Sequence, residues 1–292
     1  MALFYFYPLM KKLRLIAPVL LLTIATWVGY QTVFTVPSQS RVHSISPQGI
    51  NLSLHCFENS NAKELDDNGL LSVLVWNIYK QNKSNWQTSL DSLTQGKQLV
   101  LLQEANMTSE LIDWIAERRW YASQVDAFKA FQTSAGVLNL SYDSPSKACA
   151  YTELEPWLRL PKSALYALYP LSDGQQLAVV NIHAVNFTYG TTEYRHQLGV
   201  LVNELQQHQG PIIVAGDFNS WSEERLAVMQ QMLAQLELKE VAYQPDLRTQ
   251  FITGLALDHV FYRGLTLETA EAPNSDASDH NPLLVSFRLV TQ

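Results

Sequence analysis

The feature that most constrains this chain is a repeated one: apolar runs of strand length, each ending in a polar residue. LSVLVWN ends at Asn77, QLVLLQE at Glu104 and LAVVNIH at His183. PIIVAGDFN ends at Asp217 and Asn219. LDHVFY carries Asp258, and SDHNPLLVSF sets Asp279 and His280 ahead of a final strand. Several runs are apolar on both faces, as where Leu71, Val73 and Val75 alternate with Leu74 and Trp76. Strands of that kind are covered on both sides.

Helical stripes lie between some of these runs. Trp86, Leu90 and Leu93 form one, closed by Gly96. Tyr194, Leu198, Leu201 and Leu205 form another, closed by Gly210 and Pro211. Ser220 with Glu223 three residues on is a capping-box pattern. It opens a third stripe of Leu226, Met229, Leu233 and Leu236. Residues 69–292 thus read as one α/β domain. Its polar groups gather at one rim of the sheets, where such sheets place their sites.

The 292 residues carry a net charge of −7. Residues 1–36 hold Lys11, Lys12 and Arg14 and no acid. Removing those three from the 20 bases leaves 17 against 27 acids in residues 37–292. That balance opposes an unspecific grip on nucleic acid, which rests on neutralising phosphates. It leaves a nuclease open, because an active-site cation supplies local positive charge. Cys56 and Cys149 lie in no zinc-binding pattern. They fit a disulfide in an oxidising compartment or two separate buried thiols equally well.

After Lys11, Lys12 and Arg14 comes Leu15–Val36, 22 residues without a charge. That length spans a bilayer, and the preceding charge sets the N-terminus in the cytoplasm. Residues 1–36 therefore read as a hydrophobic segment and an uncleaved anchor, since no A-x-A-like cleavage site follows. The alternatives are a buried helix or a start at Met10. Residues 37–68 read as a linker or an irregular edge. The expected location is a bacterial inner membrane, anchored by residues 15–36, with a soluble cytoplasmic protein as the alternative.

The rim set is rich in oxygen, has few nitrogens and no sulfur. Residues two apart in an extended strand point the same way, so Asp217 and Asn219 project together. If the strand ends share a rim, Asn77, Glu104, His183, Asp258, Asp279 and His280 converge on them. Oxygen donors suit Mg²⁺ or Mn²⁺. Asp279-His280 pairs a carboxylate that can orient an imidazole with an imidazole that can take a proton near neutral pH. There is no G-x-S-x-G, no P-loop and no G-x-G-x-x-G.

Each residue also has a plain structural reading. Glu104 can cap a helix near Thr108, and His183 can be a satisfied core histidine. Asp217 and Asn219 can form an Asx-turn. Asp258 can pair with Arg263 or His259, and Asp279-His280-Asn281-Pro282 can be a turn. Lys162 and Lys80 can be surface lysines, and Arg195 can be structural. Singly these readings compete well. Together they require six strand ends to carry polar residues for unrelated reasons.

VWNIY, LLQEAN, NIHAVN, GDFNSW, LDHVFYRG and SDHNP, in this order, resemble the endonuclease/exonuclease/phosphatase superfamily of DNase I-like phosphoesterases. Within it the chain looks most like the bacterial YafD-like branch, over about residues 70–290. The resemblance implies a four-layer α/β sandwich, two mixed sheets face to face and flanked by helices. It implies Glu104 as the principal Mg²⁺ ligand, with Mn²⁺ an alternative. Asn77 would position the phosphate, and His183 would touch it and favour the leaving group. Asp217 and Asn219 would orient the water and hold phosphate oxygens. His280 would be the general base, aligned by Asp279, while Asp258 would pair with a histidine or assist the metal. Lys162 and Lys80 could offer charge to a substrate phosphate.

The expected activity is hydrolysis of a phosphoester by water. The substrate class stays open among nucleic acid, nucleotide, inositol phosphate and lipid head group. Two rival readings remain: a non-catalytic binding module on the same fold, and a membrane-tethered phosphoesterase of lipid head groups. The oligomeric state is not legible.

Overall fold

The computed structural model describes residues 6–46 and 49–290. Its described strands form two mixed sheets, one of ten strands and one of seven. In the larger sheet Leu70–Asn77 runs parallel to Leu99–Asn106, with the helix Trp86–Leu93 in the crossover. In the smaller sheet Gln176–His183 runs parallel to Ile212–Asp217, with the helix Thr192–Leu205 between them. The remaining pairings are antiparallel. Each sheet therefore contains one βαβ unit, and both units deliver their strand ends to one rim.

The alternation in the sequence explains the layers. Val73 and Val75 face inward with Leu101, Val179, Ile213 and Val260, in the core between the sheets. Leu74 and Trp76 face outward and pack with Leu90, Leu111 and Trp114 of the helices Trp86–Leu93 and Ser109–Glu117. On the other side Val180, Ile182 and Val214 pack under Leu198, Leu201, Met229 and Leu233 of Thr192–Leu205 and Glu223–Ala234. The result is the four-layer sandwich, helices outside and sheets face to face. Just below the rim, Gln103 Nε2 donates to Asn181 Oδ1 across the two sheets at 2.7 Å. Asn181 Nδ2 in turn reaches Leu102 O at 3.1 Å and Asn139 Oδ1 at 2.9 Å. Buried amides of this kind fix how one sheet sits on the other, since a slip would leave them unpaired.

Three local details differ from the sequence reading. Residues 37–68 do not merely link: Arg41–Ser46 and Gly49–Leu54 extend the larger sheet, and Cys56–Glu58 edges the smaller one. The cap of Glu223–Ala234 is Ser222, which accepts from Arg225 N, not Ser220. Ser220 Oγ instead donates to Ala256 O at 2.6 Å. The charge-free N-terminal stretch is helical up to Val33, in the helix Phe6–Val33 that contains Pro18, and then enters the short strand Phe34–Thr35. No helix among the described residues is long and apolar enough to cross a membrane, so the fold adds no support to a spanning anchor at 15–36.

Cys56 and Cys149 stand opposite one another in adjacent strands and are bonded. The bond joins residues 93 apart in sequence and ties the Cys56–Glu58 edge to the sheet. Closing a loop of that length is worth roughly 2–5 kcal/mol through the unfolded state. Urea unfolding with and without reductant should therefore differ by about that amount; coincident midpoints would show that the bond does not form.

Candidate active site

The strand ends meet in a cleft of about 400 Å³ lined by Asn77, Glu104, His183, Asp217, Asn219 and His280 among others. Asp217 is buried at its centre. Its Oδ2 accepts from Asn77 Nδ2 at 3.0 Å, a bond between the two sheets. The same oxygen lies 3.4 Å from His183 Nε2 and 4.0 Å from His280 Nε2. Asp217 Oδ1 accepts from Asn219 N at 2.9 Å, and Asn219 Nδ2 donates to Ala184 O at 2.9 Å. The Asx-type turn and the site are thus one structure.

Local backbone conformation aims these groups. Gly216 has φ +138°, and a Cβ there would stand 2.0 Å from Ile182 O, so GDFN requires its glycine. Asn219 has φ +47° and Glu104 φ +53°. Glu104 falls where the pairing of its strand with Thr133–Ser141 shifts register. A bulge of this kind redirects one side chain, and here it turns the carboxylate into the cleft. Tyr79, Lys80 and Gln81 are successively left-handed, at φ +50°, +52° and +56°. Left-handed backbone at non-glycine residues costs energy and persists where the surroundings enforce it.

The histidine partner differs from the expectation. His280 Nδ1 bonds Asp258 Oδ2 at 2.7 Å. The adjacent Asp279 does not hold the ring; it is exposed, lines the cleft, and lies 3.3 Å from Ser278 Oγ. The other Asp258 oxygen, Oδ1, is buried without a partner. Trp76 Nε1 donates to His280 O at 2.8 Å, and Ser278 Oγ donates to Asn77 O at 2.6 Å. Asp258 pairs with neither Arg263 nor His259 through its side chain; Arg263 binds the carbonyls of Leu236 and His208.

Both lysines come into the site. Lys80 Nζ bonds Glu104 Oε2, and Lys162 Nζ donates to His183 Nε2 at 2.9 Å. Lys162 also lies 4.0 Å from Glu104 Oε1, and His183 Nε2 lies 3.8 Å from it. Thr108, not Glu104, caps the helix Ser109–Glu117.

The environment separates the two imidazoles. Burial, then the charges of Lys162 and Lys80, hold the His183 pKa well below its usual range, so the ring is neutral and can accept from Lys162. Burial acts the same way on His280, but the Asp258 charge and hydrogen bond, with Asp217 and Asp279, outweigh it and lift that ring to about 10. Burial raises the Asp217 carboxyl; the His280 charge opposes this, Asp258 adds to it, and the net value is about 6.

Ligand atoms of Asp217, Asp258 and His280 lie within 4.8 Å of one another, close enough to share a cation. Glu104 stands outside that trio, with Lys80 as its counter-charge. The donors around the cleft are nonetheless mostly hard oxygens, and the free Asp258 Oδ1 is one more. That chemistry fits a Mg²⁺-type ion.

Sequence reading missed Arg225, which is fully buried. Its guanidinium donates to Val185 O at 2.7 Å, Asn219 O at 3.1 Å and Asn186 O at 3.0 Å. It stacks between Tyr194 and Trp221, 4.7 Å from each ring centroid. It thereby ties the loop after His183 to the loop after Asp217. Glu155 was missed as well; it is buried and accepts from Asn186 N at 2.6 Å.

The sequence profile of the endonuclease/exonuclease/phosphatase family matches residues 74–280. The chain belongs to that family. A UPF0294 protein of Vibrio parahaemolyticus is 56% identical over 276 residues, 94% of this chain and 98% of that protein. An endonuclease/exonuclease/phosphatase from Bacteroides vulgatus superposes with TM-score 0.61 at 16% identity, covering 76% of this chain and 99% of that one. ANGEL2, described as a 2′,3′-cyclic phosphatase, superposes with TM-score 0.60 at 15% identity, covering 81% of this chain and 99% of its own. At that identity the two structures show the shared fold. Membership makes the chain a phosphoester hydrolase at the level of the family.

The Asp258–His280 bond makes a prediction that separates the two candidate partners. Asp258→Asn should lower the His280 pKa by about 1 or more, because an adjacent opposite charge is worth that much. Asp279→Asn should lower it less; NMR titration of the ring reads both. The folded value lies above the ordinary 6.5. The pair therefore adds stability below about pH 6.5, and this is lost as pH rises toward 10. Asp258→Asn should flatten that pH dependence.

Proposed function

We propose that the chain hydrolyses a phosphodiester by attack of water, assisted by a divalent cation, Mg²⁺ or Mn²⁺. The observation that carries this reading is the Asp258–His280 pair, set 4.0 Å from the Asp217 carboxylate at the floor of the cleft. With Nδ1 engaged by Asp258, His280 presents Nε2 to the cleft. Nε2 and Asp217 Oδ2 are spaced to share one water, and Asp217 orients it. Glu104 would hold the ion, and Asn77, Asp217 and Asp279 line the same cleft with further oxygens. When bound, such an ion supplies positive charge against the phosphoryl oxygens and the surrounding carboxylates.

The residues then divide the work. With the carboxylate charge offset, His280 sheds its proton nearer neutral pH and can accept one from the water. Asn77 and Asn219 offer amide donors to the phosphoryl oxygens. Lys162, through neutral His183, places positive charge where the leaving oxygen develops negative charge. Lys80, which lies on Glu104 at the cleft, would offer its charge to a substrate phosphate. The superposition on a protein described as a 2′,3′-cyclic phosphatase supports phosphoester chemistry on this fold.

The location is also a proposal. The Cys56–Cys149 bond belongs to an oxidising compartment, and Lys11, Lys12 and Arg14 precede a charge-free stretch. Both support a domain held by residues 15–36 at the outer face of a bacterial inner membrane.

The test is hydrolysis of bis-p-nitrophenyl phosphate by the full chain with Mg²⁺, with Mn²⁺ and with EDTA. Hydrolysis should require the ion. His280→Ala should cost about 10²–10⁴-fold, the range of a lost general base, and Glu104→Ala should be at least as severe. Activity surviving both substitutions, or none in the parent over a panel of phosphodiesters, would leave a binding module as the better reading.

A further inference from the structure

The cleft is polar at its floor and apolar at its mouth, and the apolar residues do not stop at the edge. Leu158 and Phe187 line the mouth and are about half exposed. Beyond them Phe131, Trp157, Tyr189 and Ile252 stand 76%, 52%, 78% and 93% exposed. These six side chains come from four separate loops, all at the rim where the strands end. Two of them touch: the rings of Trp157 and Tyr189 lie 4.5 Å apart. Single exposed apolar residues are ordinary, but a collar of them around a site marks a surface that something apolar covers.

The N-terminal helix indicates what covers it. Its last turn docks on the collar: Tyr30 Oη donates to Leu158 O at 3.1 Å, and Phe131 N donates to Val33 O at 2.9 Å. From Val19 to Val28 the helix carries large apolar side chains, among them Leu20, Leu21, Leu22 and Trp27, all exposed. A stretch of helix that is apolar on all sides requires an apolar environment, and Val19–Val28 has none against the domain. An environment that takes up the helix meets the collar next, because the two are joined at Leu158 and Phe131.

We propose that the mouth of the cleft is a membrane-docking surface: the collar beds into the lipid layer that holds the N-terminal helix. The cleft then opens toward phosphoesters at the bilayer surface, and the domain is held in one orientation by two contacts. Trp and Tyr, which make up a third of the collar, are the side chains suited to an interface that is apolar on one side and wet on the other.

The test uses the full chain reconstituted in vesicles of phosphatidylethanolamine and phosphatidylglycerol. Its cysteines are bonded to each other, so a single introduced cysteine can be labelled with an environment-sensitive dye. Ile252→Cys reports on the collar. Gln207→Cys, exposed at the opposite pole beyond the helix Thr192–Leu205, is the control. Spin-labelled lipids should quench the dye at Ile252→Cys and leave Gln207→Cys bright. Adding Trp157→Ser and Tyr189→Ser should reduce the quenched fraction at Ile252→Cys roughly tenfold, the effect of removing one large apolar contact or more. No quenching at Ile252→Cys, or equal quenching at both positions, would overturn the proposal. So would lipid-independent protection of the Ile252→Cys dye by a single-stranded oligonucleotide, which would assign the aromatics to base stacking. Hydrolysis of bis-p-nitrophenyl phosphate is scored separately, so loss of the phosphodiesterase reading would leave this result standing.

Discussion

Asp217 is where the two sheets become one site. A buried carboxylate far from water is costly unless its oxygens are occupied. Here Asn77 of the larger sheet and the Asn219 N–H of the smaller one both donate to it. Moving either sheet by a fraction of an ångström would strip a donor from a buried charge. The amides of Gln103 and Asn181 lock the sheets one layer deeper. The site is therefore held by the fold's own inter-sheet contacts. Positioning of that quality lets a catalytic group act without reorganising first.

The rigid strand ends would point their side chains up and down the pleat if left regular. Breaks in the regular backbone re-aim them. The bulge at Glu104, the glycine at 216 and the left-handed Asn219 each rotate one group into the cleft. Left-handed turns at Tyr79, Lys80 and Gln81 bring Lys80 back over Glu104. Arg225 then joins the two loops that would otherwise be free to move, at Val185–Asn186 and at Asn219. It does so as a buried cation held by three backbone carbonyls, the Thr188 hydroxyl and two aromatic faces.

Much of this was legible. Runs apolar on both faces announced sheets covered on both sides, and six polar strand ends announced a common rim. What failed did so for physical reasons. Gly49–Leu54 is a largely exposed edge strand, and Arg41–Ser46, paired on both sides, has only Val42 and Ile45 as apolar residues, so the segment read as a linker or an irregular edge. Ser220 matched a capping box by spacing, but its hydroxyl is taken by Ala256 and lies 2.8 Å from His259. Asp279 appeared to be the partner of His280 because it is adjacent in the chain. The two residues lie in a bend ahead of the last strand, where the Asp279 carboxylate lies beside Ser278 Oγ at 3.3 Å, and the ring is held by Asp258 from another strand. Arg225 sits in a polar helical segment, EERLAVMQQ, and nothing in that spacing marks it as buried.

The two histidines show how one cleft can hold both states of the same side chain at one pH. Both are buried, and burial alone would keep each neutral. Lys162 and Lys80 face His183 and reinforce neutrality; Asp258 and Asp217 face His280 and override it. The cleft is thus polarised: the ammonium groups of Lys162 and Lys80 act on His183, and Asp258 holds His280 directly. A phosphoester entering it would meet donors on one flank and a proton acceptor on the other as soon as the carboxylate charge is offset. Pairs of titratable groups driven apart by their surroundings are how acid and base roles are divided in a shared site. In this chain the division is made by Lys162 and Asp258, which come from strands on either side of the central parallel pair of the smaller sheet. The direction of the chemistry is therefore written into the order of the strands as much as into the histidines themselves.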